Sequence, residues 1–219
     1  MKHEKMKKLT VLAMLSAIAY VAVALLRFPV VLFLSYEPKD VVIAIGGFLY
    51  GPLAALGISL VVSFIEMLTI SSTGWIGFVM NFLSSAAFAG TAALLYRKKR
   101  TQGSAIAGLF GGALLMTVLM LLWNYLITPI YMGMDREEIV VPMLIPVFLP
   151  FNLVKGGLNM ALILLLYKPV VTALRKARLV PESHAPVEGK GKLGAGFLLF
   201  SLALLATFVV LALVLMGIL

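Results

Sequence analysis

Long apolar runs separated by short polar stretches constrain this 219-residue chain more than any other feature. Hydrophobic residues make up 62% of it and charged residues only 12%, whereas a soluble domain carries about 25% charged residues. A helix crosses a bilayer with about 20 apolar residues, and a shorter one survives inside a bundle. The sequence therefore predicts an all-α integral membrane protein. Its expected spans are six in a core bundle, at approximately 8–26, 39–50, 53–70, 75–96, 103–130 and 141–168, and one additional C-terminal helix near 194–218.

Composition divides the chain into three parts. Residues 1–175 hold the six core spans and form the predicted membrane domain. Residues 176–193 are too polar and too rich in proline and glycine to enter lipid, so they are predicted to form a flexible cytoplasmic linker. Residues 194–219 contain the additional helix, whose polar groups are Ser201 and Thr207. We expect this helix to be a lipid-facing anchor.

The distribution of lysine and arginine predicts the orientation in a plasma membrane, because positively charged loops stay on the cytoplasmic side. With a cytoplasmic N-terminus, most of the 18 basic residues lie in the cytoplasm, in "MKHEKMKK", at 97–100 and at 168–192. Arg27, Lys39 and Arg136 then lie outside. The same distribution accounts for the net charge of +9, so nucleic acid is not an expected partner.

The residue inventory disfavours catalysis. The chain has no cysteine, and its two histidines, His3 and His184, lie in hydrophilic segments. No metal or cofactor site is therefore expected. An intramembrane enzyme is a remote alternative, because it needs paired acids, a serine with a base or a histidine cluster. The chain also lacks G-x-x-x-x-G-K, so energy for uphill transport must come from a partner or an ion gradient.

Polar residues inside the sixth span give the strongest functional indication. A lysine near the bilayer centre costs about 2.5–3.5 kcal/mol on insertion scales, so it is expected to face a cavity. In "LPFNLVKGGLNM", Asn152, Lys155 and Asn159 are spaced i, i+3 and i+7 and share one helical face. Gly156, in a glycine pair, would let a backbone or a flat ligand approach closely. The alternative is that Lys155 merely pairs with Glu66 as a structural bridge.

Other polar groups are expected to converge on the same cavity. Asn81 in "FVMNFLSS" and Asn124 in "LLWNYLITP" are isolated amides, and each must find a partner because lipid offers none. Each is equally compatible with a hydrogen bond between helices. Pro146 and Pro150 should bend or start the sixth helix just before its polar face, which would leave carbonyl groups free to line a pocket.

The loop between the first two spans is longer than a turn needs. It reads "RFPVVLFLSYEPKD", residues 27–40, and contains Phe33 and Tyr36. Such residues could cover an aromatic ligand as a lid over an outward-facing site. The alternative is an aromatic belt at the membrane interface.

Several of these features together resemble a known family. They are the six-helix core, the Ala13-x-x-x-Ala17 pair, "EPKDVVIAIGGFLYGPLAAL" and above all "LPFNLVKGGL". Over about residues 6–175 the chain resembles the S components of energy-coupling factor (ECF) vitamin transporters, and in particular the riboflavin-binding type. The resemblance implies a non-catalytic, high-affinity riboflavin-binding subunit of an ATP-driven importer. It also implies that the subunit captures riboflavin on the extracellular side, associates with a transmembrane coupling subunit and two cytoplasmic ATPases, and topples in the membrane.

The resemblance also assigns roles to residues. Asn152 and Lys155 match residues that contact the isoalloxazine ring, and Asn124 matches one near the ribityl chain or the ring edge. Asn81 matches a family asparagine. Ala13 and Ala17 match the face that contacts the coupling subunit. The other predicted substrate-binding residues are Glu66, Phe33, Tyr36, Asp40, Gly156 and Asn159.

Two alternatives and one departure accompany this prediction. The chain could be an S component for another flat vitamin, or for flavin mononucleotide, whose phosphate would need more cations near the outer mouth. The seventh span departs from the usual six-helix pattern. Its role is open at this point.

Overall fold

Helices account for most of the chain in its computed structural model, which describes residues 2–133, 135–180 and 194–219. The first half contains helix α1 (Lys2–Leu26), a hairpin of strands β1 (Phe28–Val31) and β2 (Leu34–Tyr36), and helices α2 (Lys39–Tyr50) and α3 (Pro52–Thr69). The second half contains α4 (Gly74–Lys99), α5 (Gln102–Leu126), the short α6 (Thr128–Met132), α7 (Arg136–Lys176) and α8 (Ala195–Leu215).

Six helices among the described residues are long and apolar enough to cross a membrane, namely α1, α3, α4, α5, α7 and α8. Helix α2 has the predicted bounds but only 12 residues, so it extends about 18 Å. It is buried along most of its length by its neighbours instead of crossing the bilayer alone. The predicted architecture, six core helices and one additional C-terminal helix, is confirmed.

The sharp break between α2 and α3 occurs where the sequence predicts it. Gly51 has a φ of +94°, a backbone conformation that favours glycine, and Pro52 is the first residue of α3. The two helices pack against each other after the turn.

Pro146 and Pro150 are expected either to bend the sixth helix or to start it, and the second alternative is wrong. The helix runs without interruption from Arg136 to Lys176 and absorbs its irregular segment through two π-helical turns, Arg136–Val140 and Leu144–Phe148. A π turn shifts the hydrogen-bond register, and this lets a helix continue through residues that lack an N–H group.

The core is built around α2, which contacts α1, α3, α4 and α7. Small side chains allow these helices to approach closely, as is usual in lipid, where hydrophobicity gives helices little reason to associate. The fully buried alanines in this core are Ala19, Ala44, Ala55, Ala89, Ala92 and Ala93. An aromatic group of Phe48, Tyr96 and Tyr167 closes the core at the end of α2, with the two tyrosine hydroxyls 3.1 Å apart.

Helix α1 has a buried face and an exposed face. Val11, Leu15 and Val23 are buried, whereas Ala13 and Ala17 are exposed on the other side. The alanine pair is therefore available to a partner outside the bundle. Its role as a docking face stays a prediction.

The predicted linker, 176–193, falls largely on residues 181–193, which lie outside the described residues. Helix α8 follows it and has many exposed apolar side chains, as expected of a helix in lipid. One side of α8, however, packs against α7 and also contacts β1. Ser201 and Ala212 on α8 are buried.

Candidate ligand-binding site

A cavity of about 230 Å³ lies between the hairpin and helices α3 to α7. It is at the end of the bundle where α1 and α3 finish and α4 and α7 begin, opposite the basic N-terminal tail. Its wall is partly polar and partly apolar. The residues that line it are Arg27, Phe33, Leu34, Ser35, Glu37, Glu66, Ile70, Ser71, Ser72, Thr73, Ile76, Gly77, Met80, Asn81, Ser84, Met120, Trp123, Asn124, Ile127, Thr128, Tyr131, Met132, Phe151, Asn152 and Lys155.

Helix α7 presents Asn152 and Lys155 to this cavity. The Asn152 side chain donates a 2.8 Å hydrogen bond from Nδ2 to the carbonyl oxygen of Phe148, one turn earlier. This bond fixes the side chain and uses one of its two N–H groups. Both residues are buried, so their polar atoms are directed into the protein interior and away from lipid.

The Lys155 ammonium faces the carboxylate of Asp40, with 3.8 Å between Nζ and Oδ2. This separation is longer than the 2.7–2.9 Å or so of a charge-assisted hydrogen bond. Asp40 is fully buried and also accepts hydrogen bonds from Ser85 and from Asn159 Nδ2, the latter at 3.3 Å. The carboxylate therefore balances the charge of Lys155 but does not form a short hydrogen bond with its ammonium group.

A second buried charge cluster lies on the α3 side of the cavity. Lys39 Nζ donates to both carboxylate oxygens of Glu66, at 2.9 and 2.7 Å, and lies 2.8 Å from Oε2 of Glu37. Arg27 contacts the other oxygen of Glu37 at 3.3 Å. Only 1% of Lys39 is exposed, so this residue at the start of α2 is buried among its partners. Its predicted position on the outer side of the membrane stays a prediction. The alternative pairing of Lys155 with Glu66 is wrong, because Glu66 is held by Lys39.

The isolated amides predicted in the fourth and fifth spans both line the cavity. Asn81 donates from Nδ2 to Oε2 of Glu66 at 2.8 Å. Asn124 donates to the carbonyl oxygen of Met120 at 2.7 Å and accepts from the Thr128 hydroxyl at 3.0 Å. Each amide thus has a structural partner and faces the cavity at the same time.

The aromatic residues of the loop have different positions. Phe33, at the turn of the hairpin, lines the cavity, and its ring centroid is 6.0 Å from that of Phe148. Tyr36 is buried behind the wall, and its hydroxyl donates to Oδ1 of Asn159 at 2.8 Å. The loop forms a small antiparallel hairpin in which Phe28 is paired with Tyr36. The sequence did not predict this hairpin.

Four predicted substrate-binding residues lie behind the cavity wall and do not form part of it. Tyr36, Asp40 and Asn159 form a buried hydrogen-bonded layer next to Lys155. Gly156 faces α5, where an added Cβ would lie 2.8 Å from that of Ala113. The absence of a side chain at Gly156 therefore allows α7 and α5 to pack closely.

Glu37 lies in the segment between the hairpin and α2, and its charged neighbours set its ionisation. Burial by itself would raise the pKa of the Glu37 carboxyl. Lys39, Lys155 and Arg27 more than offset this, so the pKa lies below its ordinary value. Glu37 is therefore ionised at neutral pH, next to two cations that it helps to compensate.

The sequence prediction missed Glu37, Lys39, Ser85 and Thr128. The stretch "EPKD" offered an indication for the first two, since it places three charges at the start of a helix that is too short to cross a membrane. A charge at such a position can be buried when the helix begins inside the bundle. Ser85 and Thr128 had no such indication.

The fold and the cavity define a small helical membrane protein that can enclose one ligand between its helices. The family model described as "ECF transporter, substrate-specific component" matches residues 7–170. The chain belongs to this family of substrate-specific components of ECF transporters. Helix α8 lies beyond the matched residues.

Individual relatives agree with this assignment. The riboflavin transporter RibU of Staphylococcus aureus (strain TCH60) is 30% identical over 179 residues, which are 78% of this chain and 93% of the relative. The riboflavin transporter FmnP of Bacillus subtilis (strain 168) is 30% identical over 189 residues, which are 80% of this chain and 99% of the relative. The solved structure titled "Structure and mechanism of the S component of a bacterial ECF transporter" is 31% identical, with a TM-score of 0.66, and the match covers 78% of this chain and 99% of that one.

Proposed function

We propose that this chain is the riboflavin-binding subunit of an ECF-type importer. The observation that carries the proposal is Lys155, a buried cation on the wall of a cavity that Asn81, Asn124 and Asn152 also line. The printed names of the RibU and FmnP relatives give riboflavin as the substrate of those proteins. Their similarity to this chain extends over almost their whole length.

The cavity wall suits the chemistry of a flavin. Riboflavin has carbonyl and imide groups at one edge of a flat ring and hydroxyl groups on its ribityl chain. Amides can donate to and accept from both kinds of group, and an ammonium group can donate to a ring carbonyl or nitrogen. Phe33, Trp123 and Phe151 supply apolar surface for the ring. The loosely paired Lys155 has donors to offer such a guest.

The proposed transport cycle assigns the cavity to the extracellular side of a plasma membrane. The basic tail and the basic residues at the end of α4 lie at the other end of the bundle, which supports a cytoplasmic N-terminus. The chain would bind riboflavin without catalysis. A transmembrane coupling subunit and two cytoplasmic ATPases would supply the energy, and the exposed pair Ala13 and Ala17 would contact the coupling subunit.

A fluorescence-quenching titration of the purified protein with riboflavin tests the proposal. The unaltered chain should quench flavin fluorescence with saturation at one ligand per chain. Lys155→Met should weaken binding by about 10- to 100-fold, because a hydrogen bond to a charged group contributes about 1.5–3 kcal/mol. The control is Lys176→Met, which removes an exposed lysine at the far end of α7. The proposal fails if the unaltered chain binds no riboflavin.

A further inference from the structure

Helix α8 lies outside the residues that the family model matches, which end at residue 170. About a fifth of the chain also remains outside the match to the solved S component, although that match covers nearly all of the S component itself. The helix packs directly on two elements of the candidate site, α7 and the hairpin strand β1. This position distinguishes α8 from a helix that only anchors the chain in lipid.

The contact with α7 is close because Gly157 lies under an aromatic ring. A Cβ atom added at Gly157 would overlap the Phe208 ring of α8. Only a residue without a side chain allows the ring to rest on the helix backbone. Gly157 is five positions after Asn152 and two after Lys155, which places it on the opposite side of α7 from the polar face. Phe208 therefore packs on the back of the helix that carries the site.

The contact also reaches the hairpin. Ala212 of α8 belongs to one buried apolar cluster with Val30 and Tyr36 of the hairpin and with Val154 and Leu158 of α7. Leu205, Phe208 and Leu215 of α8 pack against this cluster. Helix α8 thus packs on part of the hairpin, through the cluster that contains Val30 and Tyr36.

Tyr36 connects this cluster to the polar layer of the site. Its ring is buried in the apolar cluster with Ala212, and its hydroxyl donates to Asn159. Asn159 donates in turn to Asp40, the carboxylate that faces Lys155. A change in the packing of α8 can therefore move the groups that hold the lysine.

We infer that α8 is a positioning element of the binding site, which holds the hairpin and Tyr36 against α7 through Phe208 and Ala212. The inference rests on the proposed function, because the site is taken to bind riboflavin. Loss of this packing should favour arrangements in which the hairpin separates from α7, and the ligand should then leave faster. Affinity differences between variants of one site lie mostly in the dissociation rate.

The experiment measures riboflavin dissociation from the full-length protein in detergent or nanodiscs, by recovery of flavin fluorescence after dilution. Phe208→Ala should dissociate riboflavin roughly tenfold faster than the unaltered chain, with a much smaller change in the association rate. Phe208→Leu, which keeps an apolar side chain and is less disruptive to folding, should give an intermediate rate. Phe200→Ala is the matched control, because Phe200 is on α8 but 46% exposed.

A second measurement separates positioning from general stability. In a Tyr36→Phe background, Phe208→Ala should accelerate dissociation less than it does in the unaltered chain, because the connection to Asn159 has already been removed. Equal dissociation rates for Phe208→Ala, Phe200→Ala and the unaltered chain would overturn the inference and leave the proposed function intact. So would an effect of Phe208→Ala that is the same in both backgrounds. A complete lack of riboflavin binding by the unaltered chain would instead overturn the proposed function, and this inference with it.

Discussion

The Tyr36 hydroxyl donates a 2.8 Å hydrogen bond to Oδ1 of Asn159 and so joins the hairpin to the middle of α7. Both side chains are buried, and 123 positions of sequence separate them. The bond belongs to a layer that continues through Asp40 to Lys155. The hairpin, which borders the cavity, is therefore connected by hydrogen bonds to α7, the helix that carries Lys155.

Removal of that hydroxyl should cost both stability and ligand affinity. In Tyr36→Phe, Oδ1 of Asn159 loses its donor while it stays buried, and an unsatisfied buried polar group costs about 1–3 kcal/mol. We expect a lower unfolding temperature and faster riboflavin dissociation. Thermal unfolding in detergent and the fluorescence assay measure the two effects. Tyr50→Phe is the control, since Tyr50 is at the far end of α2, does not line the cavity, and its hydroxyl makes no hydrogen bond among the described residues. A Tyr36→Phe protein that matches this control would contradict the connection.

Asp40→Asn should weaken riboflavin binding through Lys155. The substitution keeps the size of the side chain but removes the negative charge that faces the ammonium group. It also replaces a carboxylate oxygen, which accepts hydrogen bonds from Ser85 or Asn159, with an NH₂ group, which cannot accept them. We expect an affinity loss of about tenfold or more, since a buried charge without compensation is costly.

A double variant isolates the charge contribution in that prediction. Once Lys155→Met has removed the cation, Asp40→Asn should cost less affinity than it does in the unaltered chain. Titration of the four proteins in one double-mutant cycle gives the coupling. Strictly additive losses would mean that Asp40 does not act through Lys155.

The buried pair of Lys39 and Glu66 should dominate stability on the α3 side of the cavity. Glu66→Gln breaks a bidentate contact that Lys39 makes with the carboxylate, and removal of one partner of a buried pair costs about 3–5 kcal/mol. Glu37 still faces Lys39, so we expect the lower end of this range. Thermal unfolding checks the result, with Glu137→Gln as a control for an exposed acid. Equal unfolding temperatures for the two variants would contradict the pairing.

The exposed alanine pair on α1 should matter for uptake and not for binding. Ala17→Trp adds a large side chain to the face of α1 that points away from the core. Uptake of riboflavin by cells should fall sharply, because a bulky residue keeps a partner helix at a distance. Binding by the purified chain should stay unchanged. Val118→Trp, at another exposed position, is the control. Normal uptake by cells with the Ala17→Trp variant would contradict the prediction that this face of α1 docks on the coupling subunit.

The lengths of the apolar runs were sufficient to predict most of the architecture. Apolar runs gave the core helices because a helix in lipid must be apolar on its outside. The spacing of Asn152 and Lys155 put them on one face, and both line the cavity. Asn81 and Asn124 reach the same cavity from other helices, as the need of a buried amide for a partner indicated.

The burial of charge at the start of α2 could not be predicted from periodicity. Lys39 and Glu37 stand next to a short apolar run, and such charges usually mark a solvated loop. Their burial depends on partners that are distant in sequence, above all Glu66. The packing of Phe208 on Gly157 is likewise a tertiary contact, because nothing in the pattern of either helix specifies its partner.

The ionisation of Glu37 predicts how stability depends on pH. Its pKa is lowered in the folded protein, so its contribution is present above the ordinary value of 4.5 and is lost as the pH falls below that value. Once the carboxyl is protonated at low pH, it no longer compensates the charges of Lys39 and Arg27. Thermal unfolding should therefore be recorded between about pH 3 and pH 7.

Because other acids titrate in the same range, the informative quantity is the difference between the unaltered chain and Glu37→Gln. The unaltered chain should be more stable at neutral pH, and this advantage should shrink as the pH falls through the acid range. Glu137→Gln, which changes an exposed acid, should follow the unaltered chain throughout. If the difference between Glu37→Gln and the unaltered chain stays constant from neutral to acid pH, the Glu37 carboxylate does not stabilise the fold through its charge.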